Sequence, residues 1–255
     1  MEYLVIFILG TLIGSFLNVC IFRLPANESI VSPPSRCPAC GTSVRYRDNI
    51  PIISYLLLRG RCRACGSPIS PRYPAVEALT GVLFVCVLYR FGPLPAVAVY
   101  ASFVAALIVV SFIDLDHQII PDVISLPGIA VGLALSALGY GPPLLDSAVG
   151  VLVGGGLLWG VAIGYHAVTG REGMGGGDIK LLAMIGAFLG WKNTLVTLVL
   201  GSLGGALVGI GLILLRGDDS RVPIPFGPFL ALGALGALFF GDPLLRWYLN
   251  LALPS

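Results

Sequence analysis

Two clusters of acidic residues are the strongest candidates for chemistry in this sequence. The first contains Asp114, Asp116 and Asp122, and the second places Asp178 directly after three glycines at 175–177. Both clusters adjoin long apolar segments, where a carboxylate is costly and is therefore a candidate functional group. Two carboxylates brought close together share a proton, so one can accept a proton from water while the other polarises a carbonyl. The pattern indicates paired-carboxylate chemistry.

Helix capping is the competing explanation for some of these residues. An aspartate at a helix start, such as Asp122 or Asp178, accepts main-chain N–H bonds and suits the helix dipole. Capping is the stronger interpretation for Asp122, and a solvated loop position explains Asp116. Asp114 directly follows an apolar run, and the glycines before Asp178 let a chain or a ligand approach closely. We therefore predict Asp114 and Asp178 as the catalytic pair. The predicted supporting residues are Gly175, Gly177, Asp116, Asp122, Lys180 and Glu77.

Four of the six cysteines form two C-x-x-C pairs, Cys37 with Cys40 and Cys62 with Cys65, separated by 21 residues. The spacing slightly exceeds that of common four-cysteine zinc sites. Four thiolates without a further ligand predict a closed, structural zinc site, and the flanking arginines are expected to favour the thiolate form. Two disulfides or redox-active dithiols are the alternative, although a cytoplasmic location argues against persistent disulfides.

Composition places these motifs in a membrane protein. Hydrophobic residues make up 56% of the 255-residue chain and charged residues 11%, whereas soluble domains have about 25% charged residues. The sequence predicts an all-α polytopic protein with about eight transmembrane helices, at 3–22, 74–91, 94–113, 122–139, 146–166, 178–191, 194–215 and 227–249. The sixth segment has 14 residues, which is about 21 Å of helix, so seven spans is the alternative. Residues 1–22 lack a basic start and a cleavage pattern, which predicts a retained helix rather than a signal peptide.

Charge distribution predicts the orientation and the domains. Residues 23–73 contain eight arginines and two acidic residues, and short basic loops stay in the cytoplasm. Alternation then places the loops around 114–122, 167–177 and 216–226 inside as well, with 12 of the 15 basic residues. We predict a first helix at 1–22, a cytoplasmic zinc insert at 23–73 and a membrane bundle at 74–255. Glu77 either pairs with an arginine of the insert or lines a polar site, and His117 and His166 are predicted to pack at the interface.

Taken together, these residues resemble the type IV prepilin peptidase family, the bifunctional leader peptidases and N-methyltransferases of pilus and type II secretion systems. The resemblance covers nearly the whole chain. It rests on 14–25, the two C-x-x-C pairs, 48–51, 72–77, the Asp114 cluster, the G-x-G-D of 175–178 and 225–230. One departure is Pro33-Pro34 before the first cysteine pair, which affects the entry to the insert but not its ligands.

The resemblance implies an intramembrane-type aspartic protease with Asp114 and Asp178 as its catalytic pair. Its substrates would be prepilins and pseudopilins, cut after a glycine on the cytoplasmic side of the bacterial inner membrane. The new N-terminal residue would then be methylated with S-adenosylmethionine, and the cysteine insert favours this bifunctional form. The expected partners are these substrates and the lipid bilayer, with no nucleic acid. The sequence predicts neither a methyl-donor site nor an oligomeric state.

Two functions from other classes compete with this interpretation. A transporter or channel also uses intramembrane carboxylates as proton relays and can contain helices broken at glycines. Against it, both acidic clusters are predicted on one side of the membrane, with no acidic residue in mid-span. A structural subunit of a secretion apparatus is the second alternative, but it would not require both carboxylates.

Overall fold

The computed structural model describes residues 1–92, 95–171, 174–216 and 224–252, and these ranges are predominantly helical. The predicted all-α fold is therefore confirmed. Residues 172–173 and 217–223, which belong to two predicted cytoplasmic loops, lie outside the described residues. The helices are α1 (Glu2–Arg23), a 3-10 helix (Tyr46–Asp48), α2 (Ile53–Leu57), α3 (Arg72–Phe91), α4 (Ala96–His117), α5 (Asp122–Ala137), α6 (Leu144–Thr169), α7 (Gly176–Arg216) and α8 (Gly227–Ala252).

The chain divides into two compact units, Met1–Val109 and Val110–Ser255, and α1 packs on α3 in the first of them. Small residues make this contact. A Cβ atom on Gly10 would lie 2.7 Å from the Cα of Gly81, and one on Gly14 would lie 2.8 Å from the Cα of Glu77. Glycines at this four-residue spacing let apolar helices approach to backbone contact in a membrane. The approach brings α1 directly against Glu77.

The insert between α1 and α3 is built from two similar cysteine turns and the short helix α2. In each turn the first cysteine N–H donates to a carbonyl five residues later, at 2.9 Å from Cys37 and 2.8 Å from Cys62. The following glycines, Gly41 and Gly66, both have a φ of 72°, which glycine adopts without steric cost. An isolated antiparallel β-bridge closes each turn. The two turns therefore have matching backbones.

In the second unit, α6 packs closely against the first part of α7. Cβ atoms on Gly150 and Gly154 would collide with the main-chain carbonyls of Gly186 and Leu182. Ser147 Oγ donates a hydrogen bond of 2.5 Å to the carbonyl of Ala187. These small residues allow main-chain contact between the helices and fix the position of the segment that follows Asp178.

Gly190 reverses the chain within α7. Its φ of 74° and ψ of 167° are not helical, and this conformation is essentially restricted to glycine. The start of α8 contacts Gly201 directly and contacts Gly177 through Ile120. A straight helix would separate Gly177 from Gly201 by about 36 Å. Residues 176–189 and 191–216, named α7a and α7b, must therefore run antiparallel.

Within the part of the chain that the structure describes, six helices are long and apolar enough to cross a membrane when α7 is counted once, and α5 is a shorter apolar helix. Because α7 is divided at Gly190, the eight predicted apolar segments correspond to α1, α3, α4, α5, α6, α7a, α7b and α8. The multi-pass membrane character is confirmed. With 16 residues in α5 and 14 predicted in the sixth segment, both are shorter than the ~20 residues that a full crossing requires, so the number of spans stays a prediction.

Candidate functional site

The carboxylate of Asp114 is held inside the protein by a main-chain donor. Helix α4 continues to His117, so Asp114 lies in its last turn rather than after its end, and it is 5% exposed. The N–H of Gly227, at the start of α8, donates to its Oδ2 at 2.9 Å. A Cβ atom on Gly227 would lie 2.6 Å from the same oxygen. A side chain at 227 would therefore require the carboxylate or the start of α8 to shift.

Asp178 lies close enough to Asp114 for their carboxylates to interact electrostatically. It occupies the first turn of α7a and is partly buried. Ile120 packs between the start of α7a and the start of α8. Cβ atoms on Gly177 and Gly227 would lie 2.8 Å and 3.3 Å from its side chain. The structure thus brings together the two aspartates that the sequence selected, although they are far apart in the chain.

The glycines before Asp178 differ in their surroundings. Gly177 packs against Ile120, whereas a Cβ atom on Gly176 would meet nothing within 4 Å. A Cβ atom on Gly175 would lie 3.8 Å from Asp178 Oδ2, so this residue passes beside the carboxylate. The open space at 175–176 leaves room for another chain next to Asp178.

Asp122 and Lys180 form an ion pair between the starts of α5 and α7a. Lys180 Nζ lies 2.7 and 2.8 Å from the two carboxylate oxygens. The side chains are 56% and 38% exposed, respectively, so solvent screens the pair and its contribution to stability is small. Pro121 is the N-cap of α5, and Asp122 follows in the first turn. The ion pair thus joins the first turns of two helices that begin beside the aspartate pair.

The remaining polar residues of these clusters lie on the surface. Asp116 and His117 are exposed at the end of α4, and His166 is exposed in the last turn of α6. The solvated role of Asp116 and the interfacial packing of the two histidines stay predictions.

The four cysteines of the insert are arranged as metal ligands. The Sγ atoms of Cys37, Cys40, Cys62 and Cys65 all lie within 4.8 Å of one another, and those of Cys37 and Cys65 are 3.9 Å apart. Tetrahedral coordination with Zn–S bonds of 2.3 Å requires sulfur atoms about 3.8 Å apart. The donor set therefore fits a tetrahedral metal ion.

Hydroxyl groups in the turns favour the thiolate form of two ligands. The hydroxyl of Ser67 lies 3.1 Å from Cys65 Sγ, and hydrogen bonding from Ser67 lowers the pKa of Cys65 to about 6. The hydroxyl of Thr42 lies 3.3 Å from Cys40 Sγ, and its hydrogen bond lowers the pKa of the Cys40 thiol. The sequence predicted this effect from the arginines, but the largest contribution comes from these hydroxyls.

One arginine of the insert has a different role. Arg63 donates to both carboxylate oxygens of Asp48, at 2.7 to 3.1 Å, and these hydrogen bonds lower the pKa of Asp48. This pairing attaches the second cysteine turn to the 3-10 helix. Arg63 thus joins two parts of the insert.

Glu77 is buried at the wall of a cavity of about 890 Å³ within the first unit. Glu77 is 8% exposed, and its Oε2 accepts a hydrogen bond of 2.7 Å from the N–H of Ile52. Glu77 therefore lies in the wall of this cavity, and its functional role stays a prediction.

Comparison with known sequences identifies the family. Residues 8–91 match the bacterial peptidase A24 N-terminal domain, and residues 101–210 match the type IV leader peptidase family. The prepilin leader peptidase/N-methyltransferase of Aeromonas hydrophila is 41% identical over 274 aligned positions, which cover 98% of this chain and 94% of the relative. The protein of the same name from Pseudomonas aeruginosa is 40% identical and covers 96% and 92%. No solved structure matches the chain significantly.

The chain belongs to the type IV leader peptidase family. The predicted family and enzyme class, a peptidase with N-methyltransferase activity, are thereby confirmed. Family membership favours this activity over the transporter and structural-subunit alternatives. The N-terminal domain match spans α1, the cysteine insert and α3, whereas the peptidase match contains both Asp114 and Asp178.

Two contributors to the site of this leader peptidase were missed as individual residues by sequence reasoning. Gly227 belongs to the segment 225–230 that carries part of the family resemblance, and Ile120 lies between Asp116 and Asp122 in the first acidic cluster. Neither residue type carries chemistry, and Gly227 is 113 positions from the carboxylate it holds. The insert also contains a short repeat. Residues 36–43 and 61–68 both begin with arginine and continue with C-x-A-C and glycine. That repeat was readable from the sequence.

Proposed function

We propose that Asp114 and Asp178 are the catalytic pair with which this leader peptidase hydrolyses its substrate. The observation that supports the proposal is the fixed carboxylate of Asp114 interacting with Asp178, both at ends of apolar helices. One ionised carboxylate takes a proton from water as the water oxygen bonds to the peptide carbonyl carbon. The protonated partner donates its proton to the carbonyl oxygen. The C–N bond then breaks, and a proton passes to the leaving amine.

The substrates that fit this site are prepilins and pseudopilins, cut at the junction between a basic leader and an apolar helix. The name shared by the Aeromonas and Pseudomonas relatives supports this choice. Short helices α5 and α7a both begin beside the aspartates, and α7a is about 9 Å shorter than the ~30 Å hydrocarbon layer. A helix that is shorter than the hydrocarbon layer suits a cleavage site at the membrane boundary. The new N-terminal residue is then methylated, with S-adenosylmethionine as the methyl donor.

The site faces the cytoplasm in this proposal. The arginine-rich insert supports an inner-membrane orientation with the insert inside, and alternation of the predicted spans returns Asp114 and Asp178 to that side. In this proposal the basic leader of the prepilin substrate also lies in the cytoplasm. The substrate junction and the carboxylates would therefore meet at one membrane face.

Replacement of either aspartate tests the catalytic assignment. We expect Asp114→Asn and Asp178→Asn each to reduce cleavage of a prepilin-junction peptide by more than about a thousandfold, because asparagine cannot exchange the proton. Mass spectrometry of the peptide would report cleavage, and membrane insertion would be checked by extraction. Asp242→Asn, an exposed aspartate near the far end of α8, is the matched control. Normal cleavage by either active-site variant would refute the pair.

We also propose that the four cysteines bind one structural zinc ion. Metal analysis of the purified protein should give about one zinc per chain, and a Cys62→Ser variant should lose most of it. Cys86→Ser, which removes a cysteine outside the cluster, should retain the metal. Stoichiometric disulfides in a protein purified without reductant, with no zinc, would contradict this proposal.

A further inference from the structure

The cavity in the first unit has the size and the lining of a small-molecule site. Its volume is about 890 Å³, within the range of about 300–1,000 Å³ that is common for ligand pockets. Its walls are formed by the ends of α1 and α3, by α2 and by both cysteine turns. The cavity therefore lies within the N-terminal domain match and does not include the aspartate pair.

Glu77 gives this cavity a buried negative charge. It is 8% exposed and receives hydrogen bonds from the N–H of Ile52 at 2.7 Å and from the hydroxyl of Ser15. Neutral donors offset only part of the cost of burying a carboxylate, and a cationic partner offsets more. A ligand with positive charge would supply that partner.

Ile52, which holds Glu77, has an unfavourable backbone conformation. Its φ is 61°, a region that a β-branched residue adopts at a cost of about 1–3 kcal/mol. The next residues fix it in place, because the hydroxyl of Ser54 donates to the carbonyl of Arg47 and accepts from the N–H of Ile50, each at 3.0 Å. Backbone strain of this kind is concentrated at binding and catalytic sites.

Arg23 gives the same cavity a buried positive charge. It is 8% exposed, and its guanidinium donates to the main-chain carbonyls of Ser29 at 2.8 Å and Pro33 at 2.7 Å. Both of these acceptors are neutral, and a guanidinium forms its strongest hydrogen bonds with carboxylate or phosphate. The cavity thus presents buried groups of both signs, which suits a ligand that itself carries a carboxylate and positive charge.

We propose that this cavity binds S-adenosylmethionine, with Glu77 facing its positively charged groups and Arg23 facing its carboxylate. The inference rests on the methyltransferase half of the proposed function. When bound, the donor supplies a methyl group: the methyl–sulfur bond breaks with its electron pair left on sulfur, a methyl–nitrogen bond forms at the neutral N-terminal amine, and the displaced amine proton passes to solvent. The residues named here bind and orient the donor.

The test is equilibrium dialysis of the purified full-length enzyme against radiolabelled S-adenosylmethionine and, separately, S-adenosylhomocysteine, which lacks the sulfonium charge. We expect Glu77→Gln to weaken S-adenosylmethionine binding at least about tenfold, and to weaken binding of the neutral product less. Glu2→Gln, an exposed glutamate at the start of α1, should bind both as the wild type does. Zinc content of each sample reports whether the insert is folded.

A second variant blocks the cavity without changing its charges. Ala39 is an exposed residue of the first cysteine turn that lines the cavity, and Ala39→Trp should abolish binding of both molecules with the zinc retained. Wild-type affinity in zinc-loaded Glu77→Gln and Ala39→Trp proteins would overturn the inference while leaving the methyltransferase function intact. A wild-type enzyme that binds no S-adenosylmethionine would instead contradict the proposed methyl donor. If Glu77→Gln weakened only leader-peptide binding, the cavity would be a peptide site and the inference would be wrong.

Discussion

Main-chain geometry fixes the Asp114 carboxylate more firmly than a side-chain partner would. A backbone N–H has no rotamer freedom to lose, so the 2.9 Å bond from Gly227 holds Oδ2 in one place. Ile120 lies against both Gly227 and Gly177. Through it, the start of α8 is packed against the residue that precedes Asp178. Two glycines, Gly227 and Gly177, and the apolar Ile120 therefore set the spacing of the proposed catalytic pair.

Gly227→Ala should disrupt that spacing. The new methyl group would lie 2.6 Å from Asp114 Oδ2, so either the carboxylate or α8 must move. A displacement of about 1 Å in an active site can cost on the order of 100-fold in rate, and we expect a loss of 10- to 100-fold in leader cleavage. The measurement is the initial rate with a prepilin-junction peptide. Gly211→Ala, where a Cβ would meet nothing within 4 Å, is the matched control.

The sequence could reveal only the residues whose chemistry is unusual for their surroundings. Asp114 and Asp178 stand out because a carboxylate is rare beside apolar segments, and the cysteines stand out by their spacing. Gly227 is one of 34 glycines in the chain, and its role depends on a contact with a residue 113 positions away. No local pattern encodes that contact. An unimpaired Gly227→Ala enzyme would show that the carboxylate can be positioned without it.

Glycine contacts also determine how the helices of this protein pair. The hydrophobic pattern predicted where the helices are, because apolar runs of membrane length are visible directly. It did not predict that α1 pairs with α3 through Gly10 and Gly14, or α6 with α7a through Gly150 and Gly154. Lipid tails are as apolar as the helix surfaces, so hydrophobicity does not choose between partners. Small residues that permit close backbone contact make that choice.

The turn at Gly190 offers a test at the level of the helix pair α7a–α7b. A side chain at 190 would have space, with its nearest neighbours 3.4 Å and 3.5 Å away at Pro142 and Asp146. The backbone conformation, at φ 74° and ψ 167°, would nevertheless be strained by about 1–3 kcal/mol. Gly190→Ala should therefore lower the unfolding temperature of the detergent-purified protein. Gly164→Ala, at an open position inside α6, should leave it unchanged or raise it, because alanine favours helix. Equal stability of the two variants would mean that the turn can relax.

At the scale of the whole molecule, the reversal at Gly190 bears on how the chain crosses the membrane. The sequence left seven and eight spans open because α7a is short. Since α7a and α7b run antiparallel, the end of α7b returns to the side where α7a begins, whether or not α7a crosses completely. The start of α8 is bonded to the last turn of α4 through Gly227 and Asp114. These contacts place the end of α4, the starts of α5, α7a and α8, and the end of α7b at one face of the second unit.

Reporter fusions test the orientation that follows. If the arginine-rich insert is cytoplasmic, α4 ends in the cytoplasm, α8 begins there, and the chain after residue 252 emerges on the opposite side. Alkaline phosphatase, which is active only outside the cytoplasm, should be active when fused after residue 252 and inactive when fused after residue 171. Green fluorescent protein, which folds in the cytoplasm, should give the reverse pattern, with a fusion after Gly66 as the control for the cytoplasmic side.

The seven-span alternative, with α7a outside the membrane, places the residue-252 fusion in the cytoplasm. In that arrangement α7b could not run antiparallel to α7a. A fluorescent fusion at 252 would therefore contradict both the eight-segment orientation and the antiparallel arrangement at Gly190.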